Sequence, residues 1–408
     1  MAHRADPAQD GGLTSPMSFR TGVVITLLLT VIAGATGAQA PSPIAGVVFD
    51  DANRNGRRDV GERGVSGVAV SNQRDVVQTG ADGRYSLSRG PYGLVFISLP
   101  DGYASVGDFW RVAPPTSSSP ADFALTVHQA STTFTFMHAS DTHVSAQTVG
   151  RLQQLRTIAE KYHPDFVLVS GDLVRDALRV GEEEARGYYD LYTEEVRRFP
   201  VPVWSVPGNH ENFGIERHLS LVSAAHPLYG KGMYRQRLGP NYYSFTRGGV
   251  HFVGLDSVDI ADLWYYGHVD DVQLAWLKAD LSHVPSDMPV VTFNHIPFAS
   301  ALDGVSGYRD DGAAPTLIKV AGRTVFRHIV SNFSDVLATI GSRAWPLALG
   351  GHLHTRESIS FGSTVRTRFH QAAAVVGPTD NAIPAMSGVT LYHVKDRVID
   401  DGEFIRLR

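Results

Sequence analysis

The chain has 408 residues, a formal net charge of −5 at pH 7 and no cysteine. The lack of thiols excludes disulfides, thiolate metal ligands and cysteine nucleophiles within this sequence. The small net charge does not indicate a broad basic surface, so we predict no specific nucleic-acid partner.

An apolar stretch near the start of the sequence has the layout of a secretion signal. Met17 and the basic segment Ser18-Phe19-Arg20 precede an apolar stretch from Gly22 to Gly37, which is followed by Ala38-Gln39-Ala40. A short basic region, an apolar core and an A-x-A sequence are typical of a cleaved signal peptide. A membrane anchor is the alternative, but the stretch is shorter than the ~20 apolar residues of a spanning helix. We therefore expect residues 1–40 to be a signal peptide, with Met17 as an alternative start. The protein would then be exported (periplasmic, cell-surface or secreted), with no membrane span after cleavage.

Short β-like runs dominate the region from about residue 41 to residue 130. Turn signals such as Asp82-Gly83 and Asp101-Gly102 separate them. Regular short strands with Gly and Pro turns predict a small all-β sandwich domain. The runs are Ile44 to Phe49, Val65 to Ser71, Tyr85 to Leu87, Leu94 to Leu99 and Phe123 to Val127.

Within this region, the segment from Asp51 to Glu62 fits the register of a calcium-binding loop. Oxygen-bearing side chains occupy positions 1, 3, 5, 9 and 12, and Gly56 occupies position 6. A strand precedes the loop, so it is not a standard EF-hand, and Val47 to Val70 resembles the calcium-binding B-type repeats of bacterial surface adhesins. A hairpin turn that binds nothing is the alternative. The candidate calcium ligands are Asp51, Asn53, Asn55, Asp59 and Glu62 through side chains and Arg57 through its backbone carbonyl.

Five short motifs in residues 131–408 each follow an apolar run. The runs have the length and composition of buried strands, so each motif sits where a strand gives way to a loop. In layered α/β folds, functional sites gather at the carboxyl ends of strands. Five strands can therefore bring these side chains to one cluster. The motifs are Asp141-Thr142-His143, Gly171-Asp172, Gly208-Asn209-His210-Glu211, Asn294-His295 and Gly351-His352-Leu353-His354.

The residue types in these motifs suit divalent metal ions. Carboxylate, carboxamide and imidazole together bind Mn, Fe or Zn. Seven such ligands are too many for one tetrahedral zinc but suit two ions that share a bridging carboxylate. Paired metals roughly 3.5–4 Å apart recur in phosphatases and nucleases, where they activate a water and neutralise phosphate charge.

The ordered series DTH, GD, GNHE, NH and GHLH resembles the calcineurin-like metallophosphoesterases, of a bacterial exported type. The resemblance covers Phe134 to about the C-terminus and implies a four-layer α/β/β/α sandwich for residues 131–408. It implies that Asp172 bridges two ions and that His210 stabilises the transition state or protonates the leaving oxygen. Glu211 would orient an imidazole. The implied ligands are Asp141, His143 and His354 for the first ion and Asn209, His295 and His352 for the second.

One position distinguishes branches of this family. Purple acid phosphatases have a Tyr three residues after the GD aspartate and lack the His of the first motif. Here Arg175 stands at the Tyr position and His143 is present. The pattern is therefore more similar to the phosphodiesterase branch, which includes class III cyclic-nucleotide phosphodiesterases, although phosphatases and pyrophosphatases share the same ligands.

The leading hypothesis is an exported dimetal enzyme that hydrolyses phosphomonoesters or phosphodiesters by attack of a metal-bound hydroxide, with Asp172 and His210 as the catalytic residues. One alternative is a dimetal hydrolase of another ester or anhydride. Another is a cell-surface binding protein with structural metals. Segments 212–238 and 297–339 lie outside the motif strands and are expected to form pocket walls. Substrate, metal identity and oligomeric state stay open.

Overall fold

The computed structural model describes residues 43–113, 120–311, 315–361, 367–377 and 386–408. The signal peptide expected at residues 1–40 lies outside these ranges and stays a prediction. From residue 41 onward the chain forms one compact unit. None of the helices within the described ranges is long and apolar enough to cross a membrane.

The first part of this unit consists of two four-stranded β-sheets, which confirms the predicted all-β region. Its strands are β1 (Ile44–Asp50), β2 (Ala69–Ser71), β3 (Val76–Gln78), β4 (Arg84–Leu87), β5 (Leu94–Ile97), β6 (Tyr103–Ser105), β7 (Trp110–Val112) and β8 (Phe123–Val127). The strand orders are β4-β1-β8-β6 and β3-β2-β5-β7. Side chains from both sheets, including Val48, Val70 and Phe123, form one buried core.

Two six-stranded sheets with helices on their outer faces form the rest of the unit. The strands are β9 (Thr133–Ala139), β10 (Phe166–Ser170), β11 (Val203–Val206), β12 (Tyr243–Arg247), β13 (Val250–Gly254), β14 (Val258–Ala261), β15 (Trp264–Gly267), β16 (Val290–Phe293), β17 (Leu317–Val320), β18 (Arg323–Phe326), β19 (Leu347–Gly350), β20 (Glu357–Phe361), β21 (Thr367–Gln371), β22 (Gly388–Lys395), β23 (Val398–Ile399) and β24 (Glu403–Arg406). The helices are α1 (Val149–Tyr162), α2 (Glu182–Val196), α3 (Arg217–Ser220), α4 (Gly232–Leu238), α5 (Asp271–Ser282), α6 (Leu302–Ser306) and α7 (Phe333–Ile340).

The strand orders place the motif strands side by side. The first sheet has the order β11-β10-β9-β22-β23, with β24 beside β22, and its motif strands β9, β10 and β11 are parallel. The second sheet has the order β12-β13-β16-β19-β21-β20, with β13, β16, β19 and β21 parallel. β14–β15 and β17–β18 are separate hairpins. The predicted mixed α/β architecture is thus confirmed.

An aromatic core holds the two sheets face to face. The ring centroids of Phe136 and Phe252 lie 5.4 Å apart, and those of Phe166 and Phe245 also lie 5.4 Å apart. Strands β10, β16 and β19 are buried along their whole lengths, as expected for parallel strands covered on both faces. Helices α1 and α2 cover the first sheet, and α5 and α7 cover the second.

Leu152, Leu155 and Ala159 bury one face of helix α1. The third motif strand, β11, begins at Val203, directly after Pro202. Pro202 has no N–H to give to the ladder, although its carbonyl still accepts a 2.9 Å bond from Val167 N.

The all-β region packs on the α/β region, residues 133–408 (the catalytic region), through buried polar groups. Gln73 is fully buried and donates its Nε2 to Asn241 Oδ1 at 3.0 Å. Trp276, in α5, donates its indole N–H to Ser71 Oγ at 3.1 Å. Buried groups with partners across the contact indicate that the two regions form a fixed interface.

The same contact reaches the outer strand of the second sheet. Thr246 N, in β12, donates to Leu99 O at 2.9 Å, and Leu99 forms an isolated parallel bridge with Phe245. Ser98 Oγ lies 2.8 Å from Ser244 Oγ. The segment after β5 therefore lies along the free side of β12.

Candidate dimetal site

All seven predicted metal ligands follow strands whose carboxyl ends face the same edge of the fold. β9 ends before Asp141 and His143, β10 before Asp172, β11 before Asn209, β16 before His295, and β19 before His352 and His354. Because the motif strands of each sheet are parallel, the loops that follow them lie at the same edge of that sheet. The structure places the ligand atoms of Asp141, His143 and His354 within 4.8 Å of one another, and it does the same for Asp172, His295 and His352.

The first cluster consists of Asp141, His143 and His354. Asp141 is fully buried, and His354 Nε2 lies 3.1 Å from its Oδ1. His143 Nε2 lies 3.3 Å from His354 Nε2. One oxygen and two imidazole nitrogens thus converge on a small volume.

The second cluster includes the carboxamide of Asn209. His295 Nε2 lies 3.1 Å from Asn209 Oδ1 and 3.2 Å from His352 Nδ1. Asp172 Oδ1 lies 3.1 Å from the same His295 nitrogen. The predicted ligands of the second ion are therefore brought together as well.

Asp172 lies between the two clusters. Its Oδ1 faces His295, while its Oδ2 lies 3.6 Å from His143 Nε2 and 3.8 Å from His210 Nε2. A carboxylate with one oxygen toward each cluster has the geometry that a bridging ligand requires. The bridging role itself stays a prediction.

The residues present fit a pair of divalent ions. His295 Nδ1 lies 2.8 Å from Ser170 O, and a carbonyl oxygen only accepts, so a neutral His295 ring turns the lone pair of Nε2 inward. Asp141 Oδ1, which faces His354 Nε2, is buried and forms no regular hydrogen bond with any residue the structure describes. Lone pairs that converge at these distances repel one another unless a cation or a proton lies between them.

The pKa values of the clustered histidines also fit a pair of divalent ions. Burial pushes the pKa of His295 down, but the Asp172 and Asp141 carboxylates and the Ser170 carbonyl together outweigh burial and raise it to about 9. Burial lowers the pKa of His143 to about 4, and the nearby His210 contributes to the same shift. Burial also holds the pKa of His352 well below its usual range. A proton on His295 balances part of the negative charge of the carboxylates. A metal ion bound at this position would displace that proton.

Comparison with known proteins assigns the family. The model of the calcineurin-like phosphoesterase domain matches residues 134–355, and that of the N-terminal domain of calcineurin-like phosphoesterases matches residues 52–128. The chain belongs to the calcineurin-like phosphoesterase family. It is therefore a metal-dependent phosphoric ester hydrolase, as the sequence predicts. The resemblance of Val47 to Val70 to adhesin repeats stays a prediction.

Two curated relatives are named as phosphodiesterases. A probable cyclic nucleotide phosphodiesterase of Rhodococcus erythropolis is 24% identical over 280 residues, 64% of this chain and 80% of that protein. A probable glycerophosphodiester phosphodiesterase of Arcobacter nitrofigilis is 28% identical over 150 residues, 34% of this chain and 43% of that protein. Among solved structures, a dimetal phosphatase of Danio rerio is 16% identical with a TM-score of 0.43, and it covers 67% of this chain and 99% of its own.

The backbone of this phosphoesterase is strained at the predicted ligands. A positive φ is uncommon outside glycine and costs on the order of 1 kcal/mol per residue. Strain of this kind clusters at functional sites, where the surrounding structure fixes it. The predicted ligands in this conformation are Asp141 (φ 55°), His143 (φ 40°), Asp172 (φ 49°), His352 (φ 74°) and His354 (φ 52°).

Glu211 holds the strained loop after β10 in place. Its carboxylate is buried and accepts the backbone N–H groups of Asp172 at 3.0 Å, Leu173 at 2.7 Å and Val174 at 2.9 Å. Gly208 N donates to the same carboxylate. The expectation that Glu211 orients an imidazole is wrong, because backbone amides occupy both of its oxygens.

The glycines of the motifs leave room for the ligands. A Cβ on Gly171 would lie 2.6 Å from the His295 ring, and one on Gly208 would lie 2.2 Å from Asp172 Oδ1. A Cβ on Gly351 would lie 2.8 Å from Asp141 Oδ2 and still closer to Ser140 Oγ. Any side chain at these positions would displace a predicted ligand.

His210 lies at the edge of the site, where a ring nitrogen comes within 4.8 Å of ligand atoms of His143 and Asp172. Its Nδ1 lies 2.7 Å from Arg175 O, so Nδ1 carries a proton and Nε2 faces Asp172. The side chain is 22% exposed. This orientation suits the role that the family resemblance implies for His210.

The sequence missed a further histidine beside the site. His328 Nδ1 lies 2.7 Å from Nε2 of the predicted ligand His352. The ring of Tyr265 lies 5.8 Å from the His352 ring. His328 belongs to the 297–339 segment, and a lone histidine in an irregular segment gives no signal that one sequence could reveal.

The predicted calcium ligands lie on one closed loop, although calcium binding stays a prediction. Asp51 Oδ2 accepts Gly56 N at 2.7 Å, and Glu62 Oε1 accepts Ala52 N at 3.1 Å. Both side-chain amides of Asn53 and Asn55 donate to Asp59 Oδ2, at 2.8 and 2.7 Å, and Arg57 N donates to Asn55 Oδ1. The loop thus satisfies its own oxygens, as either a calcium site or a plain hairpin turn can.

Proposed function

We propose that this phosphoesterase is an exported enzyme that hydrolyses phosphodiesters at the dimetal site. The observation that carries the proposal is the position of His210, whose partly exposed ring directs Nε2 toward Asp172 at the edge of the site. The same ring lies close enough to His143 and Asp172 to hold a metal, so the metal content of a His210 variant separates the two uses. The names of the two relatives and the presence of His143 in the first motif support a diester as the substrate.

Each residue has a part that follows from its position. Two bound divalent ions supply charge neutralisation on the phosphate and a water of lowered pKa. Asp172 would set the spacing of the two ions. His210, fixed through Nδ1 by the Arg175 carbonyl, would donate a proton from Nε2 to the departing alkoxide oxygen. Its partial exposure lets the ring take up a proton again from solvent.

The test compares diesters and monoesters on protein depleted of metal and reloaded with Mn²⁺. We expect bis(4-nitrophenyl) phosphate to give a higher kcat/KM than 4-nitrophenyl phosphate. His210→Ala should keep its metal content and lose on the order of 10²- to 10⁴-fold in turnover of an alkyl diester. The loss should be smaller for the nitrophenyl diester, because nitrophenolate leaves without protonation. His393→Ala, at a half-exposed histidine bonded to Asp400, serves as the control.

Preference for the monoester would overturn the diester assignment, and equal losses for both leaving groups would replace proton donation by electrostatic stabilisation. Export is tested separately. Expression of the full chain in a bacterial host should yield a mature protein that begins near Pro41 and fractionates outside the cytoplasm. Retention of the intact start in the cytoplasm would contradict export.

A further inference from the structure

The segment between β16 and β19 brings one side chain into direct contact with a predicted ligand. It forms the hairpin β17–β18 and then runs through Arg327 and His328. The His328 and His352 rings lie edge to edge, with centroids 5.0 Å apart and planes inclined by only 25°. Its Nδ1 lies 2.7 Å from His352 Nε2, a distance at which one nitrogen must donate and the other accept.

We propose that His328 is a positioning residue for the second metal position, because it accepts the Nε2–H of His352 and so keeps Nδ1 of His352 free for the metal. The proposal rests on the dimetal site of the proposed function. Nδ1 of His352 is the nitrogen that faces the cluster, 3.2 Å from His295 Nε2. A neutral imidazole has one N–H, so a proton held at Nε2 leaves a lone pair at Nδ1.

Metal-binding histidines usually direct their second nitrogen to a carboxylate, a backbone carbonyl or water. His295 follows this rule through the Ser170 carbonyl. His352 has an imidazole in that place instead. An imidazole acceptor is neutral and carries a proton of its own, so it fixes the ring without adding negative charge to the site.

The neighbours of His328 hold it in place. Arg327 is 5% exposed, and its guanidinium lies 4.8 Å from the Trp264 ring and 4.5 Å from the Tyr265 ring. It also donates to Pro315 O at 3.0 Å. These contacts anchor the chain on the residue before His328.

Two further contacts tie this segment to its surroundings. Val330 N donates to Pro297 O at 2.9 Å, just beyond His295, and Ser331 N donates to Gly267 O at 2.8 Å. The segment is thus bound to the strand end that carries His295 and to β15. His328 is therefore placed by its backbone as well as by its ring.

The test measures Mn²⁺ binding to the metal-depleted full-length protein by titration calorimetry, with metal content per chain as a second readout. His328→Phe keeps a planar aromatic ring but has no acceptor nitrogen. His328→Asn places an amide oxygen where Nδ1 lies and retains the acceptor. His393→Phe is the control. Thermal melting of each metal-free variant shows whether it folds.

We expect His328→Phe to weaken one of the two Mn²⁺ sites by 10- to 100-fold and to leave the other unchanged. His328→Asn should recover most of that loss, and His393→Phe should bind as the parent protein does. Two unchanged sites in His328→Phe would overturn the proposal. So would weakening in His328→Asn equal to that in His328→Phe. If His328→Phe does not fold, the Mn²⁺ affinity of His328→Asn decides. The amide oxygen retains the acceptor, so clearly weakened binding in this variant would overturn the proposal. A parent protein that binds no Mn²⁺ would instead refute the dimetal function itself.

Discussion

Asp172 is the residue on which both metal positions depend. Its two oxygens face opposite clusters, its backbone N–H is held by Glu211, and its φ of 49° is uncommon for a residue with a side chain. Loss of this one side chain should therefore affect metal binding as well as turnover.

We predict that Asp172→Ala lowers bound metal from two ions towards one or none and abolishes phosphoesterase activity. The physical reason is the loss of the one carboxylate that reaches both clusters. Metal analysis of the purified variant, together with turnover of an aryl phosphate, checks this. Asp190→Ala, on the outer helix α2, should behave as the parent protein. Two retained ions with normal turnover would refute the bridging assignment.

His138 makes the stability of the folded protein depend on pH. It is 1% exposed, its Nε2 lies 2.8 Å from Ser170 Oγ, and burial lowers its pKa to about 3. In the unfolded chain the pKa of histidine is about 6.5. The unfolded state therefore binds one more proton between these values, so the stability falls as pH decreases from about 6.5 toward 3.

We predict that His138→Gln flattens this dependence. The histidine contribution is about 1.4 kcal/mol per pH unit, or about 2 kcal/mol between pH 6.5 and pH 5, and glutamine does not titrate. Urea unfolding midpoints of the metal-free protein at pH 7.5 and pH 5 measure it. The midpoint of the variant should fall less than that of the parent. Equal falls would show that His138 is not the group responsible.

Among single residues, the sequence predicted those that belong to the repeated strand-and-motif pattern and did not reveal those outside it. The seven predicted ligands lie together because each one follows an apolar strand, which a sequence can display. His328 lies beside His352 only because a long segment folds back over the site. The partners of Glu211 are backbone amides, whose positions depend on loop conformation and leave no mark in residue identity.

At the scale of elements, the strand ends and the glycines that follow them must fit closely. Gly208 comes after β11, and a Cβ there would lie 2.3 Å from Asp172 N as well as 2.2 Å from Asp172 Oδ1. A side-chain oxygen can rotate away, but a backbone nitrogen cannot. The loop after β11 therefore tolerates no side chain without moving the loop after β10.

We predict that Gly208→Ala lowers kcat/KM on the order of 10²-fold, because a ligand displaced by about 1 Å loses that much rate. The matched control is Gly150→Ala, in α1, where an added Cβ has no neighbour within 4 Å. Steady-state kinetics and metal content of both variants check this. Normal kinetics in Gly208→Ala would mean that the loop relaxes freely.

The loop from Asp51 to Glu62 is a second element with a testable property. If it binds calcium, calcium should raise the melting temperature of the full-length protein, because a ligand of the folded state stabilises it by mass action. Glu62→Gln should weaken that rise, since position 12 of such loops supplies the strongest carboxylate. Differential scanning calorimetry with and without millimolar calcium measures both. An identical melting temperature in both conditions would leave the plain hairpin turn.

The strands before the motifs were predictable from their apolar runs, but the ends of other strands, and the existence of some, were not. The run from Val65 to Ser71 gives a strand only from Ala69 onward, because Gly67 adopts a φ of 73° and turns the chain. The hairpins β14–β15 and β17–β18 were not predicted. They lie outside the motif strands and join neither large sheet.

At the scale of the whole molecule, the all-β region and the catalytic region share a buried interface. Gln73 bonds to Asn241, its backbone carbonyl accepts the hydroxyl of Tyr242, and its own φ is 69°. Arg235 stacks on Tyr92 across the same contact at 3.5 Å. The two regions should therefore unfold together.

We predict that Gln73→Ala lowers the free energy of unfolding by about 1–3 kcal/mol, because it leaves buried polar groups without their partner. Gln78→Ala, at an exposed position of β3, should change it little. Calorimetry should show one transition in the parent protein. Two separate transitions in the parent would contradict a shared cooperative unit.

The segment at Leu99 affects how readily the protein associates with other molecules in crowded solution. β12 is the outer strand of its sheet, and the outer strand of any sheet offers unpaired N–H and C=O groups to strands of other molecules. Leu99 occupies part of that side. The all-β region thus shields the catalytic region from edge-to-edge association. A chain that began after residue 130 would carry every motif of the site and would still be prone to aggregate along β12.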